Sequence, residues 1–207
     1  MSYKPIKCKI KSGEEHLAFE QELPFKLSDF WKWSVSDLMN NTTRGIFAEF
    51  IVATAVNVNF NVPRDGWAPY DLITPNGIKI EVKSASFVQS WYQEKLSEIS
   101  FSIKQSLYWD SKTNKQSKTK SRYADVYVMC LLFTTDQKII NPLDLDQWRF
   151  YVLSVQEVNN YKRSKSSITL KSLKKLTKPI SYNQLNKEIK DASKKNLHKL
   201  VVKINKD

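Results

Sequence analysis

The sequence predicts an α/β domain, with α+β as the neighbouring class, built on a mixed central sheet flanked by helices. Three observations carry this: helical and strand patterns interleave along the chain, one apolar run reads as a strand buried on both faces, and the composition is globular. With 207 residues, 41% hydrophobic and 12% aromatic, the chain can bury one sizeable core and carry an appendage, but hardly a second full domain.

Ser28 and Asp29 are placed to cap a helix running to about residue 39, with Phe30, Trp31 and Trp33 as its apolar side. Thr42 or Thr43 caps a second helix over 44–56, where Ile46, Phe47, Phe50, Ile51 and Ala53 make a wide apolar face and Glu49 is the only acid. Arg64-Asp65-Gly66 reads as a turn. Residues 70–74 and 78–85 then read as a hairpin around Pro75-Asn76-Gly77. Within it Ile78, Ile80 and Val82 alternate with Lys79, Glu81 and Lys83, so one face is buried and the other polar. Further strands are expected at 99–103, 124–133 and 148–155, the run from Val126 being apolar at almost every position. A helix over 155–161, a strand over 168–170, helices over 172–176 and 182–192, and a last strand over 200–204 complete the reading.

Net charge is +12, and residues 161–207 hold 14 Lys and Arg against Glu188, Asp191 and Asp207, so nearly all the excess lies in the last quarter. The chain is therefore divided into a core domain with an N-terminal helical segment, 1–160, and a basic extension, 161–207, packed on the core or continuous with it. Such a charge run suggests a surface that meets a polyanion, most simply nucleic acid phosphates, although a lysine-coated solvated surface explains the charge equally well. Residues 110–122, with Lys112, Lys115, Lys118, Lys120 and Arg122, read as a mobile basic loop.

Cys8 and Cys130, with His16 and His198, make neither a disulfide framework nor a zinc-ligand spacing. The first residues lack the apolar stretch of a signal peptide, and the longest apolar run, 126–133, is far short of a membrane span. A cytoplasmic protein is expected.

The chemistry concentrates in the hairpin. With a three-residue loop at 75–77, Thr74 pairs with Ile78, Leu72 faces Ile80 and Asp71 faces Glu81. A two-residue Asn76-Gly77 turn would set Asp71 against Val82 instead; the first register keeps Leu72, Ile80 and Val82 together on the core face. Two carboxylates directly opposite each other destabilise a sheet unless a cation lies between them. An oxygen-only donor set suits Mg²⁺, with Mn²⁺ able to substitute, and Lys83 on the same face could reach a phosphate oxygen or the attacking water.

Asp71, nine residues, then Glu81-Val82-Lys83, with Glu49 on the preceding helix, resembles the PD-(D/E)xK nuclease superfamily, the restriction-endonuclease-like fold. Its order is a helix, an antiparallel run of strands carrying Asp and Glu-x-Lys, then a helix and a further strand, and the sequence is read as following that order over roughly residues 43–135. Tyr70 stands between Pro69 and Asp71, so the proline lies one position further from the aspartate than the family's name implies. The resemblance implies a phosphodiester hydrolase in which Asp71, Glu81 and the Val82 carbonyl bind metal, Glu49 contacts it through water, and Lys83 orients the hydrolytic water. It also matches Gln89 to a glutamine that some branches carry after the lysine. Lys112, Lys115, Lys118, Lys120, Arg122, Lys174 and Lys175 are the expected nucleic-acid contacts, along with Gln89.

The leading expectation is a Mg²⁺-dependent DNA endonuclease, with a homodimer expected because cutting both strands often uses two sites. The competing classes are a nucleic-acid-binding module that does not cut and a basic protein-interaction domain. The ordinary explanation of the motif is an exposed, salt-bridged strand face. For Glu49 it is pairing with Arg44 or a lysine, and for Trp91 and Tyr92 it is core packing.

Overall fold

The computed structural model describes residues 3–204. In chain order its elements are β1 (His16–Phe19), β2 (Gln21–Lys26), α1 (Leu27–Val35), α2 (Asn41–Ala55), β3 (Leu72–Ile73), β4 (Lys79–Ser86) and β5 (Ser100–Ser102). There follow β6 (Trp109–Asp110), β7 (Lys115–Gln116), β8 (Val126–Leu132), β9 (Trp148–Ser154), α3 (Val155–Asn160), β10 (Ser167–Thr169), α4 (Leu170–Leu176) and α5 (Leu185–Ile204).

A four-stranded sheet in the order β3-β4-β8-β9 is the centre of the molecule. The pairs β3/β4 and β8/β9 are antiparallel and β4/β8 is parallel, so the sheet is mixed, as the sequence predicts. Every residue of β8 is buried. Its alternate side chains feed two cores, one on each face of the sheet. Val126, Val128 and Cys130 join Ile80, Val82, Trp148 and Phe150 beneath α2 and α5, while Tyr127, Met129 and Leu131 join Phe101, Tyr151, Ile168 and Leu173 on the side of β5, β10, α3 and α4. Residues after 160 thus contribute β10, which pairs with β5, and α5, which packs on β9.

Parallel neighbours need a long crossover, usually a helix. Here residues 87–125 cross from β4 to β8 through β5 and the β6–β7 hairpin and contain no helix. This departs from the helix-then-strand order expected after Glu-x-Lys.

Other expectations are corrected by packing. The buried stripe of α2 is Ala48, Ile51, Val52 and Ala53. Small alanines let the helix approach β4 closely, and this turns Ile46 and Phe50 outward, at 45% and 51% exposure, with Phe50 against Phe60 at a ring separation of 5.4 Å. Helix α1 is shorter than expected and buries no residue; Trp33 is 84% exposed. The β1–β2 hairpin went unread because both of its faces are largely exposed, leaving no alternating pattern to see. Residues 200–204, expected as a strand, continue α5. The local β-branched composition is overridden by a helix already propagating from residue 185.

One helix start carries a pH prediction. Ser154 caps α3 reciprocally with Glu157: the Ser154 hydroxyl accepts from the Glu157 N–H, and Glu157 Oε2 accepts from the Ser154 N–H at 2.8 Å. Burial alone would raise the Glu157 pKa. The Ser154 donors and the Lys195 ammonium at 3.0 Å outweigh it and hold the carboxyl below its ordinary value. A group with a depressed folded pKa stabilises above its unfolded pKa and loses that contribution as pH falls through the folded value. Denaturation across pH should therefore show wild type more stable than Glu157→Gln at neutral pH, with the gap closing in acid; a gap that stays constant refutes the coupling.

Candidate active site

The hairpin forms as its turn chemistry dictates. Gly77 takes φ +81°, a left-handed conformation that glycine tolerates. Its N–H donates to the Thr74 carbonyl at 2.8 Å, and Thr74 N–H donates to the Ile78 carbonyl at 3.0 Å. The loop is therefore three residues long, and the register is Leu72 with Ile80 and Ile73 with Lys79. Asp71 lies just before β3, at the end of this ladder, close enough that Glu81 feels its charge.

Asp71 N–H donates to the Ile80 carbonyl at 3.0 Å, and Asp71 Oδ2 accepts the Val82 N–H at 2.7 Å, which fixes the carboxylate against β4. Glu81 Oε1 accepts from Lys83 Nζ at 2.6 Å. Both side chains are half-buried. Burial first, and the charge of Asp71 second, push the Glu81 pKa up; Lys83 only partly offsets them. On the neighbouring strand Tyr127 pairs with Glu81, and burial together with the Glu81 charge keeps its phenol protonated. The site is a crowded anionic corner held by one lysine.

Glu49 is buried and takes a forked pair from Arg64, with Nη2 on Oε1 at 2.9 Å and Nε on Oε2. Its partner is thus Arg64, neither Arg44 nor a lysine. Among the described residues no group of three or more His, Cys, Asp or Glu is placed to hold a metal ion. Arg44 is spent inside the fold, donating to the Met39 carbonyl at 2.8 Å and to Gln89 Oε1 at 3.4 Å. Gln89 in turn donates to the Ser86 carbonyl at 2.7 Å and to Ser97 Oγ at 3.1 Å, so both residues brace the end of β4.

The expected grip divides in the same way. Lys112, Lys115, Lys118 and Lys120 are exposed on and just after the β6–β7 hairpin, and Lys174 and Lys175 are exposed at the end of α4. Arg122 instead donates to the Ile103 carbonyl at 2.7 and 3.0 Å and to Asn159 Oδ1 at 2.7 Å. The segment expected as a loop contains a hairpin, tied at its base by this guanidinium. Trp91 and Tyr92, expected in the core, are exposed.

The sequence reading missed Arg64, Trp67, Tyr108 and Trp109. A cleft of about 230 Å³ opens between residues 66–71 and 106–109, with Asp71 and Glu81 in its wall. Arg64 lies close enough to feel the charge of Asp71. The only sequence signal was an Arg-Asp-Gly turn followed by a tryptophan, which says nothing of what lies opposite.

Fold and site together define a class: a mixed sheet between helices, with two carboxylates and a lysine gathered at a hairpin beside an open cleft. Residues 26–172 match the family model of bacteriophage T4 endonuclease IV, and the chain belongs to that family. It is a family of nucleases, and the match runs from α1 into α4, taking in the hairpin, the cleft and the basic segment. No curated protein matches the chain. No helix among the described residues is long and apolar enough to cross a membrane.

Proposed function

We propose that the chain is a Mg²⁺-dependent endonuclease of the PD-(D/E)xK kind that hydrolyses phosphodiester bonds in DNA. The observation that carries the reading is the hairpin register, which gathers Asp71, Glu81 and Lys83. The donor set fits a hard divalent cation: two carboxylates in the wall of a cleft whose lining holds no Cys or His, and a Glu81 whose charge is under-compensated. Asp71 and Glu81 would hold the ion, with the Val82 carbonyl as a further oxygen. When bound, Mg²⁺ supplies a Lewis acid that activates water and offsets charge on phosphorus.

The chain's own groups do the rest. Lys83 reaches the same phosphate from the Glu81 side and offsets charge developing on it. Glu49, read as a water-mediated ligand by resemblance, here holds Arg64 at the rim of the site, where a second cation faces the substrate backbone. Lys112, Lys115, Lys118 and Lys120 supply phosphate contacts whose contribution falls steeply with salt.

Incubating the full chain with plasmid DNA, and separately with RNA, tests this. Cleavage of DNA with Mg²⁺ or Mn²⁺, abolished by excess EDTA, is expected. Undiminished cleavage in EDTA sinks the metal. Salt-sensitive binding without turnover under any divalent ion assigns the chain to the non-cutting binding modules, the reading favoured by a Lys83 already paired with Glu81.

A further inference from the structure

The wall of the cleft beside the carboxylates is aromatic in a way the hydrolytic reading does not use. Tyr70 and Trp67 from one segment and Tyr108 and Trp109 from another line it, with Asp71 and Glu81 at the same cleft. Trp67 is 66% exposed, an unusual cost for an indole with no burial to recover it. It meets Trp109 edge-on at 4.9 Å. The two tryptophans come from segments some forty residues apart, so the fold, not the local sequence, builds the pair. Beyond Trp109 the chain turns at once into the basic hairpin with exposed Lys112 and Lys115.

The carboxylates and the aromatic wall thus share one cleft, and the lysines stand on the same β6–β7 hairpin that carries Trp109. Along a nucleic acid strand the matching groups are scissile phosphate, base and next phosphates. An exposed aromatic beside a phosphate site offers a stacking surface to any base, because every base has a π-face. A polar, open cleft lined in this manner has little to offer an apolar ligand.

The geometry points to a nucleobase subsite: the base flanking the scissile phosphate leaves its stack and packs against Trp67 and Trp109, while Lys112 and Lys115 take the phosphates that follow. The ligand chemistry is an unstacked base, whether drawn from an unpaired strand or flipped out of a duplex. This assignment rests on the proposed hydrolytic site, because the scissile phosphate sets the register of the strand in the cleft.

The test is binding by the full chain in EDTA, read by tryptophan fluorescence, so that no turnover is involved. The probes are a short single-stranded oligonucleotide, its duplex, and an abasic strand of equal length with the same phosphates. Wild type should bind the base-bearing strand more tightly than the abasic one, with quenching. Trp67→Ala and Trp109→Ala should each weaken base-bearing binding by about 5- to 150-fold. Abasic binding should be unchanged, which also reports an intact fold, and Trp67→Phe should restore most of the loss.

If Trp109→Ala loses abasic binding as well, it has lost its fold, and Trp67, on the surface, decides the matter. Quenching by the single strand alone identifies an unpaired source, and quenching by the duplex too identifies flipping. Equal wild-type affinity for abasic and base-bearing strands, or a Trp67→Ala variant that binds both as wild type does, overturns the subsite. Those outcomes leave the metal-dependent cleavage reading standing, whereas base-dependent binding without any cleavage removes the hydrolytic site and keeps the cleft.

Discussion

Replacing Lys83 with alanine is expected to slow DNA cleavage by about 10²- to 10³-fold, the loss typical when one charge-stabilising donor is removed from a hydrolytic site. The ammonium is held by Glu81 at 2.6 Å, and Asp71 is fixed beside the same stretch of β4 by the Val82 N–H. Asp71→Asn should cost at least as much activity and should shift the half-maximal Mg²⁺ concentration upward. The two variants part company in stability. Asp71 raises the Glu81 pKa, so it repels the ionised Glu81; neutralising it relieves that repulsion, and the asparagine oxygen can still accept the Val82 N–H.

Urea denaturation of Asp71→Asn should therefore show stability equal to or above wild type while cleavage is lost. Lys83→Ala should be less stable, because it leaves the half-buried Glu81 beside Asp71 without its ion-pair partner. An ordinary salt-bridged strand face predicts the reverse for activity: cleavage of DNA in both variants at the wild-type rate. That result would return Asp71, Glu81 and Lys83 to the surface.

The second large effect lies across the sheet. Trp148 on β9 is fully buried, its indole N–H donates to the Pro142 carbonyl at 2.9 Å, and its ring lies nearly parallel to Phe150. Trp148→Ala removes the ring, opens a cavity beneath α5 and orphans the carbonyl. A loss of about 3–5 kcal/mol is expected from urea midpoints at an unchanged slope. Cleavage per folded molecule should hold, since β9 stands at the edge of the sheet opposite to β3. A loss under about 1 kcal/mol would mean that the β9 core is not continuous with α5 as described.

The family match and the structure together sort the earlier expectations by the range of the force involved. β8 was legible because burial on both faces writes an unbroken apolar run, and the hairpin because Pro-Asn-Gly and a period of two leave one register that keeps Leu72 and Ile80 inside. The α2 face was misread, since a helix with Ile46, Phe47, Phe50 and Ile51 has more apolar surface than the sheet can cover. Which stripe goes down depends on β4, which the helix sequence does not contain.

Polar side chains were legible as types and not as roles. Glu49 and Gln89 read as site residues through the family resemblance, and Arg122 as one cation of a basic segment. The partners that define them, Arg64, Ser86 and the Ile103 carbonyl, are chosen by packing. The cleft was invisible for the same reason: Trp67 and Trp109 become neighbours only when β4 and its crossover are folded.

What the sequence by itself determined is the mixed sheet's central strand, written as an unbroken apolar run, and the hairpin with the company of Asp71, Glu81 and Lys83, a product of turn chemistry and alternation within some dozen residues. Only the tertiary structure decided that Glu49 belongs to Arg64, that Arg122 is a brace, and that two distant tryptophans wall the site. Those outcomes are set by shape and burial between segments far apart in the chain, and none of the three is written in any local pattern.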